Sequence, residues 1–245
     1  MVNIYKKYEQ TVNKEKFTNL PLINSSKYLS QVILPEDICD NLIAMFNTFG
    51  KDHFYHVGVN GTTELHTGVG SKRVTNYDIQ LAQYLTKLLA QYQNPIITLN
   101  DYSPVDWLKE NPKKVRQWGF EGVSPVFRYM EYTKGSEHYP HYDAPYLHPD
   151  NPLTRTLMSG VLYLTTNKSG ATGFINDGQD HLPFVKRNTE DWLRQANISE
   201  VDSWQLPTKG RILLFPHQVC HTVFPLLEDE KRIIIRFDLF FRAYG

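Results

Sequence analysis

The sequence predicts an α+β fold with a mainly β core, and three observations carry that reading. Apolar residues recur at helical spacing in the N-terminal half. Runs rich in β-branched and aromatic residues, each bounded by turn signals, fill the C-terminal half. Helices first and strands later suit helices that buttress one face of a β-sandwich or barrel. The length, 245 residues, fits one β-rich domain of roughly 200–250 residues. The expected organisation is therefore a single domain over 1–245, with a mainly helical N-terminal buttress over 1–120 and the β core over 121–245.

The first helix is expected from Leu34 to Gly50, with Pro35 at its first position and Gly50 as its stop. Ile38, Leu42, Met45, Phe46 and Phe49 form its apolar stripe. A second helix should run from an Asn76 cap to about Gln93. Ile79, Leu81, Leu85, Leu88, Leu89 and Tyr92 would form its apolar face, and Pro95 would end it. Strands are expected at Pro125–Thr133, Ser159–Thr166, Arg211–Phe215 and Arg232–Arg242. A short helix over Asn188–Ala196, capped by Asn188 or Thr189, should interrupt them.

Composition narrows the function classes. The chain is 41% hydrophobic and 21% charged, ordinary for a globular protein. Lys plus Arg number 26 and Asp plus Glu number 26, so no global field draws in nucleic acid or an anionic membrane. The expected partner is a small molecule, with neither nucleic acid nor membrane. No apolar run approaches the ~18 residues of a membrane span, and the N-terminal residues hold no apolar signal core. Two cysteines, Cys39 and Cys220, argue against a disulfide scaffold and for a reducing cytoplasm.

The chemistry-bearing segment is EHYPHYDAP, where His141 and Asp143 stand two apart. In an extended segment such residues project to one face. An imidazole and a carboxylate would then converge as two-thirds of a facial triad, the set that holds iron(II) with positions left open. Downstream, a turn at Lys209-Gly210 leads to an apolar strand, a loop histidine at 221 and a strand opening with Arg232. His221 is the candidate third ligand, and Arg232 a fixed cation deeper in the barrel, matched to a carboxylate. His217 competes with His221, and His138 with His141. His148 and His181 read as loop or channel residues, and His53, His56 and His66 as surface or structural ones. Glu190 and Asp191 read as helix-start charges on solvated surface. In the last strand Arg232, Arg236 and Asp238 share one face and Ile233, Ile235 and Phe237 the other. Arg236 needs a partner there: Asp238, Asp143, or a carboxylate of the substrate.

From about Pro125 to Phe241 the chain resembles the 2-oxoglutarate/Fe(II) dioxygenase family, nearest its prolyl-hydroxylase-like branch. The resemblance lies in His141-Tyr142-Asp143, then His221-Thr222-Val223-Phe224-Pro225, then Arg232. Arg128-Tyr129-Met130-Glu131-Tyr132 resembles the strand leading to the ligands. Gly170–Asp177 resembles a glycine-rich turn segment, with Ala171 where a second glycine is usual. The resemblance implies a double-stranded β-helix, a jelly roll with the metal inside its open end. It implies Fe(II) on His141, Asp143 and His221, with 2-oxoglutarate and O2 as co-substrates and ascorbate as reductant. Arg232, Tyr163 and Tyr132 would hold 2-oxoglutarate. Arg128, Arg155, Gln179 and Arg236 would grip the substrate. The expected reaction hydroxylates an unactivated C–H of a small molecule, a free amino acid or related metabolite, releasing succinate and CO2. A protein hydroxylase acting on prolyl or other side chains, or a non-catalytic cupin-like binding protein, are the alternatives.

Overall fold

The computed structural model describes residues 30–58, 70–91, 98–100, 117–179, 182 and 187–244. In chain order the first half contributes β1 (Ser30–Ile33), α1 (Glu36–Phe46), β2 (Tyr55–Val57), β3 (Ser71–Tyr77), α2 (Ile79–Ala90), β4 (Thr98–Asn100) and β5 (Gln117–Val123). Then follow β6 (Val126–Tyr132), β7 (His138–His141), β8 (Leu147–His148), β9 (Asn151–Tyr163), β10 (Thr172–Ile175), β11 (Val201–Gln205), β12 (Arg211–Pro216), β13 (His221–Val223) and β14 (Arg232–Tyr244).

These strands form two antiparallel sheets. The larger runs β1-β12-β9-β14-β6-β3-β2, with β5 joining the end of β14, β4 pairing β5, and β8 joining the start of β9. The smaller runs β11-β10-β13-β7. Together they make the expected jelly roll, a double-stranded β-helix. The period of β14 decides where everything else goes. Ile233, Ile235 and Phe237 enter the core shared with the helices, while Ile234 enters a second core between the sheets. Gly160 on β9 is required by this packing, because a Cβ there would lie 2.3 Å from the Phe237 ring.

Both helices cover the outer face of the large sheet. α1 buries Ile38, Cys39, Leu42 and Phe46, a stripe at helical spacing, and Phe46 stacks on Tyr129 of β6 at 5.8 Å. α2 buries Leu81, Leu85, Leu88 and Leu89; each such side chain contributes about 1.5–3 kcal/mol relative to exposure. Ile79, expected on that face, is 50% exposed.

Several boundaries differ from expectation for identifiable reasons. Pro35 is the residue before α1 rather than its first member. Asn76 does not cap α2, because it belongs to β3; Asp78 does, accepting from the Leu81 amide at 2.9 Å. The end of that helix near Gln93, with Tyr92 and Pro95, lies outside the described residues. The helix expected over Asn188–Ala196 does not form. Its amides have other partners: Glu190 N–H bonds the Asn188 side chain, and Trp192 N–H donates to the Pro140 carbonyl at 2.9 Å. Nor is the N-terminal half only a helical buttress, since β1, β2, β3 and β4 extend the large sheet. No helix among the described residues is long and apolar enough to cross a membrane.

Candidate active site

His141 ends β7 and His221 begins β13, which pair directly. The strand pairing therefore sets the two imidazoles side by side, with ring centroids 4.2 Å apart. Asp143 lies just past β7, where its N–H donates to the His217 carbonyl at 3.2 Å. One ligand atom from each of His141, Asp143 and His221 lies within 4.8 Å of the others.

Backbone carbonyls orient both rings. His141 Nδ1 lies 2.8 Å from the Tyr139 oxygen, and His221 Nδ1 lies 3.0 Å from the Val219 oxygen. A neutral ring that donates from Nδ1 keeps its Nε2 lone pair for a metal. Burial, with the neighbouring imidazole adding to it, pushes His141 down to about 4; burial also lowers His221. Burial alone would raise Asp143, but the Arg236 guanidinium and the imidazoles outweigh it and hold the carboxyl well below its usual range. Two neutral imidazoles and a carboxylate is the protonation state a divalent cation requires.

Behind the ligands stands a buried ionic chain. Arg236 Nη2 lies 2.9 Å from Asp143 Oδ1 and 2.9 Å from Asp238 Oδ1, and donates to Ser159 Oγ at 3.1 Å. Ser159 in turn donates to Asp143 Oδ2. Asp238 is also bound by Arg128 Nη1 at 3.0 Å and by His217 Nε2 at 3.2 Å. Of the three partners considered for Arg236, the structure supplies Asp238 and Asp143. His217 has its ring on Asp238 and stands outside the three-residue group.

A second constellation lies further along the same interior face. Arg232 is fully buried, its guanidinium 4.6 Å from the Tyr132 ring and 5.5 Å from the Tyr163 ring. Its Nη2 donates to Thr172 Oγ1 at 3.2 Å, and Tyr163 Oη donates to the same oxygen at 2.7 Å. Thr172 thus accepts twice and keeps its own proton to donate. Arg232 Nε and Nη1 are buried with no protein partner.

A cavity of about 260 Å³ connects the two constellations; its lining includes His141, Asp143, His221, Arg232, Arg236, Arg128, Tyr132 and Thr172. Tyr163 does not line it, but backs Thr172 from behind. Arg155 and Gln179 do not line it either. Arg155 is buried on β9 opposite Leu147 and Phe241. The Gln179 amide holds its own loop, through Asn188 and Asp177.

Three polar lining residues escaped the sequence reading. Thr172 stands in the glycine-rich segment that suggested only a turn. Asp191 falls where a solvated helix start was expected, and lies at the cavity instead. Arg73 comes from β3, where no strand was expected. The decoy histidines separate cleanly. His138 lines the cavity edge-on to His141 at 4.3 Å, His148 packs on Phe240, and His53, in a short helical turn, and His56, on β2, do not line the cavity. His66 and His181 lie outside the described residues. Cys39 and Cys220 are buried and unpaired in different clusters.

Comparison with known proteins gives one family match and a set of structures of similar fold. The family described as putative 2OG-Fe(II) oxygenase matches residues 145–238, which include His221 and Arg232 and begin just after Asp143. No curated protein matches the chain. Among solved structures, a prolyl hydroxylase from Trichoplax adhaerens, in complex with a hypoxia inducible factor oxygen degradation domain peptide fragment, is 14% identical. It covers 96% of this chain and 89% of its own, with a TM-score of 0.50, and shares the fold. A viral collagen prolyl hydroxylase from Paramecium Bursaria Chlorella virus-1, in a 2OG complex, is 15% identical over 90% of this chain and 99% of its own, with a TM-score of 0.46. A prolyl-4-hydroxylase from Pseudomonas putida is 16% identical over 89% and 93%, with a TM-score of 0.47. Residues 145–238 thus match the 2OG-Fe(II) oxygenase family, and His141, Asp143 and His221, at the entrance to that segment and within it, form a group that could hold a metal ion.

Proposed function

We propose that the enzyme hydroxylates an unactivated C–H bond of a small molecule, a free amino acid or related metabolite, with His141, Asp143 and His221 holding Fe(II). The convergence of two carbonyl-oriented imidazoles and one clamped carboxylate is the observation that carries this reading. Two nitrogens and an oxygen suit Fe(II), and three ligands leave positions open. The co-substrate fits as well: Arg232 holds two buried, unpartnered nitrogens beside the Thr172 hydroxyl, the donors that the far carboxylate of 2-oxoglutarate needs.

When bound, Fe(II) couples oxidative decarboxylation of 2-oxoglutarate to insertion of one oxygen atom of O2 into the substrate, releasing succinate and CO2. The protein orients and excludes water. Arg236 and Ser159 fix the Asp143 carboxylate, with Oδ2 on the His221 side. Arg232 and Thr172 anchor the co-substrate's far end, and Tyr132 covers the guanidinium. Met130, Val161 and Ile234 give the cavity an apolar floor, which keeps the charged contacts strong. The small volume, about 260 Å³, favours a metabolite over a peptide.

The test is succinate release with Fe(II), 2-oxoglutarate and O2 across free amino acids and short peptides, with mass spectrometry for one added oxygen. Turnover stimulated by a free amino acid and absent in Asp143→Ala is expected. Stimulation by peptides alone would replace the small-molecule reading with a protein hydroxylase.

A further inference from the structure

The interior face of the large sheet carries four arginines into one cavity: Arg73, Arg128, Arg232 and Arg236. Three have assigned work. Arg236 is held between Asp143 and Asp238, Arg128 spends one nitrogen on Asp238, and Arg232 stands with Thr172 at the deep end. Arg73 differs. Its Nε donates to Ser71 Oγ at 2.7 Å, and among the described residues no carboxylate pairs with its guanidinium. Burial, opposed by the Tyr132 and Tyr55 hydroxyls and reinforced by the charges of Arg236 and Arg128, pushes Arg73 below its usual range. A half-buried cation crowded by like charge is costly unless an anion joins it.

The strand register says where that anion sits. Arg73 on β3 lies opposite Met130 on β6, and Met130 opposite Ile234 on β14, while the next row places Thr75, Arg128 and Arg236 side by side. Arg73 and Arg128 are thus diagonal neighbours at the β3 side of the cavity, with Met130 between Arg73 and the centre. Arg232 and Tyr163 lie on the β14–β9 side. Resting on the oxygenase reading above, we infer that Arg73, assisted by Arg128, is a specificity-determining anchor for a carboxylate on the substrate. Arg232 serves the co-substrate, so the two dissimilar anions enter at opposite sides of the metal ligands. An apolar substrate body lies over Met130 and Ile234 between the anchor and the iron ligands.

The test is calorimetric binding to the Mn(II)- and 2-oxoglutarate-loaded protein under nitrogen, which reads affinity without turnover. The probes are free L-amino acids and the matching L-amino-acid amides, which lack the negative charge. The expected result is that at least one free acid binds and its amide binds at least about tenfold more weakly, as loss of a charge-assisted hydrogen bond implies. Arg73→Met should weaken that acid by about tenfold to a hundredfold, Arg73→Lys by less, and 2-oxoglutarate affinity measured on the same samples should change far less than either. That second reading also shows that the variants are folded. Equal binding of acid and amide, an unaltered acid affinity in Arg73→Met, or an equal loss of 2-oxoglutarate affinity would each overturn the anchor. So would a protein that binds 2-oxoglutarate but no amino acid. Wild-type protein that fails to bind 2-oxoglutarate at all would instead remove the oxygenase reading, and the anchor with it.

Discussion

Replacing Arg236 by methionine removes one guanidinium from a chain of buried charges. In the metal-free protein Arg236 contacts Asp143 and Asp238, both at 2.9 Å, and Asp238 is 1% exposed. Breaking a buried pair from one side costs about 3–5 kcal/mol when the remaining charge is left alone. Here Asp238 retains Arg128 and His217, and Asp143 retains Ser159. The expected loss therefore falls at or below the bottom of that range, about 2–3 kcal/mol. At about 2–4 °C per kcal/mol for a chain of this size, Tm should fall by about 4–12 °C. Thermal melts in EDTA and in excess Mn(II) separate the contributions. A bound cation gives Asp143 a new partner, so the loss should shrink when the metal is present, while the part arising from Asp238 persists. Arg236→Lys, which keeps the charge but not the fork, should fall between. An identical loss with and without Mn(II), or a loss below about 1 kcal/mol, would refute the claim that Arg236 supports the ligand carboxylate.

Two other outcomes follow from the same structure. Arg232→Met should weaken 2-oxoglutarate binding to the Mn(II) protein by about 2–5 kcal/mol, measured by anaerobic calorimetry, with Arg232→Lys retaining part of the affinity; unchanged affinity would contradict the assignment of its unpartnered nitrogens. The metal-free protein should also lose stability in mild acid. Burial, aided by the neighbouring His141, lowers His138 to about 2, and burial, aided by His221, lowers His141 to about 4. In the unfolded chain both protonate near pH ~6.5, so below that pH the unfolded chain binds more protons than the folded one and stability rises with pH. Melting temperature in EDTA should be steady above pH ~6.5 and fall below it, less steeply in His138→Phe. A flat profile down to pH ~4.5 would contradict the burial of these rings.

The convergence of His141, Asp143 and His221 was legible because its signal is short-range. His141 and Asp143 are two apart, and His221 precedes a Val and a Pro in a loop between strong strands. β14 was legible for the same reason, as its alternation is strict and its interior charges stand out. Arg73 was not legible: SKRVTNY has a single aliphatic residue, Val74, and becomes a strand through its partner β6 rather than its own propensity. Asp191 was misread because NTEDWLRQA has helical propensity, yet its amides bond the Asn188 side chain and Pro140 instead. The Arg155 and Gln179 assignments rested on residue type alone. A buried arginine on a sheet says nothing about which end of the strand meets the cavity, and a loop glutamine is as readily spent on its own turn.

β14 also has a consequence of length. Arg232 and Arg236 are four residues apart on one extended strand, a separation of about 13 Å between their backbones. The cation proposed for the co-substrate's far end and the clamp on Asp143 are thus two marks on one rigid gauge. Inserting a single residue between them would move the marks by about 3.3 Å and turn one of them to the helix side, so tolerance to insertion should be lower here than to substitution almost anywhere else in the sheet.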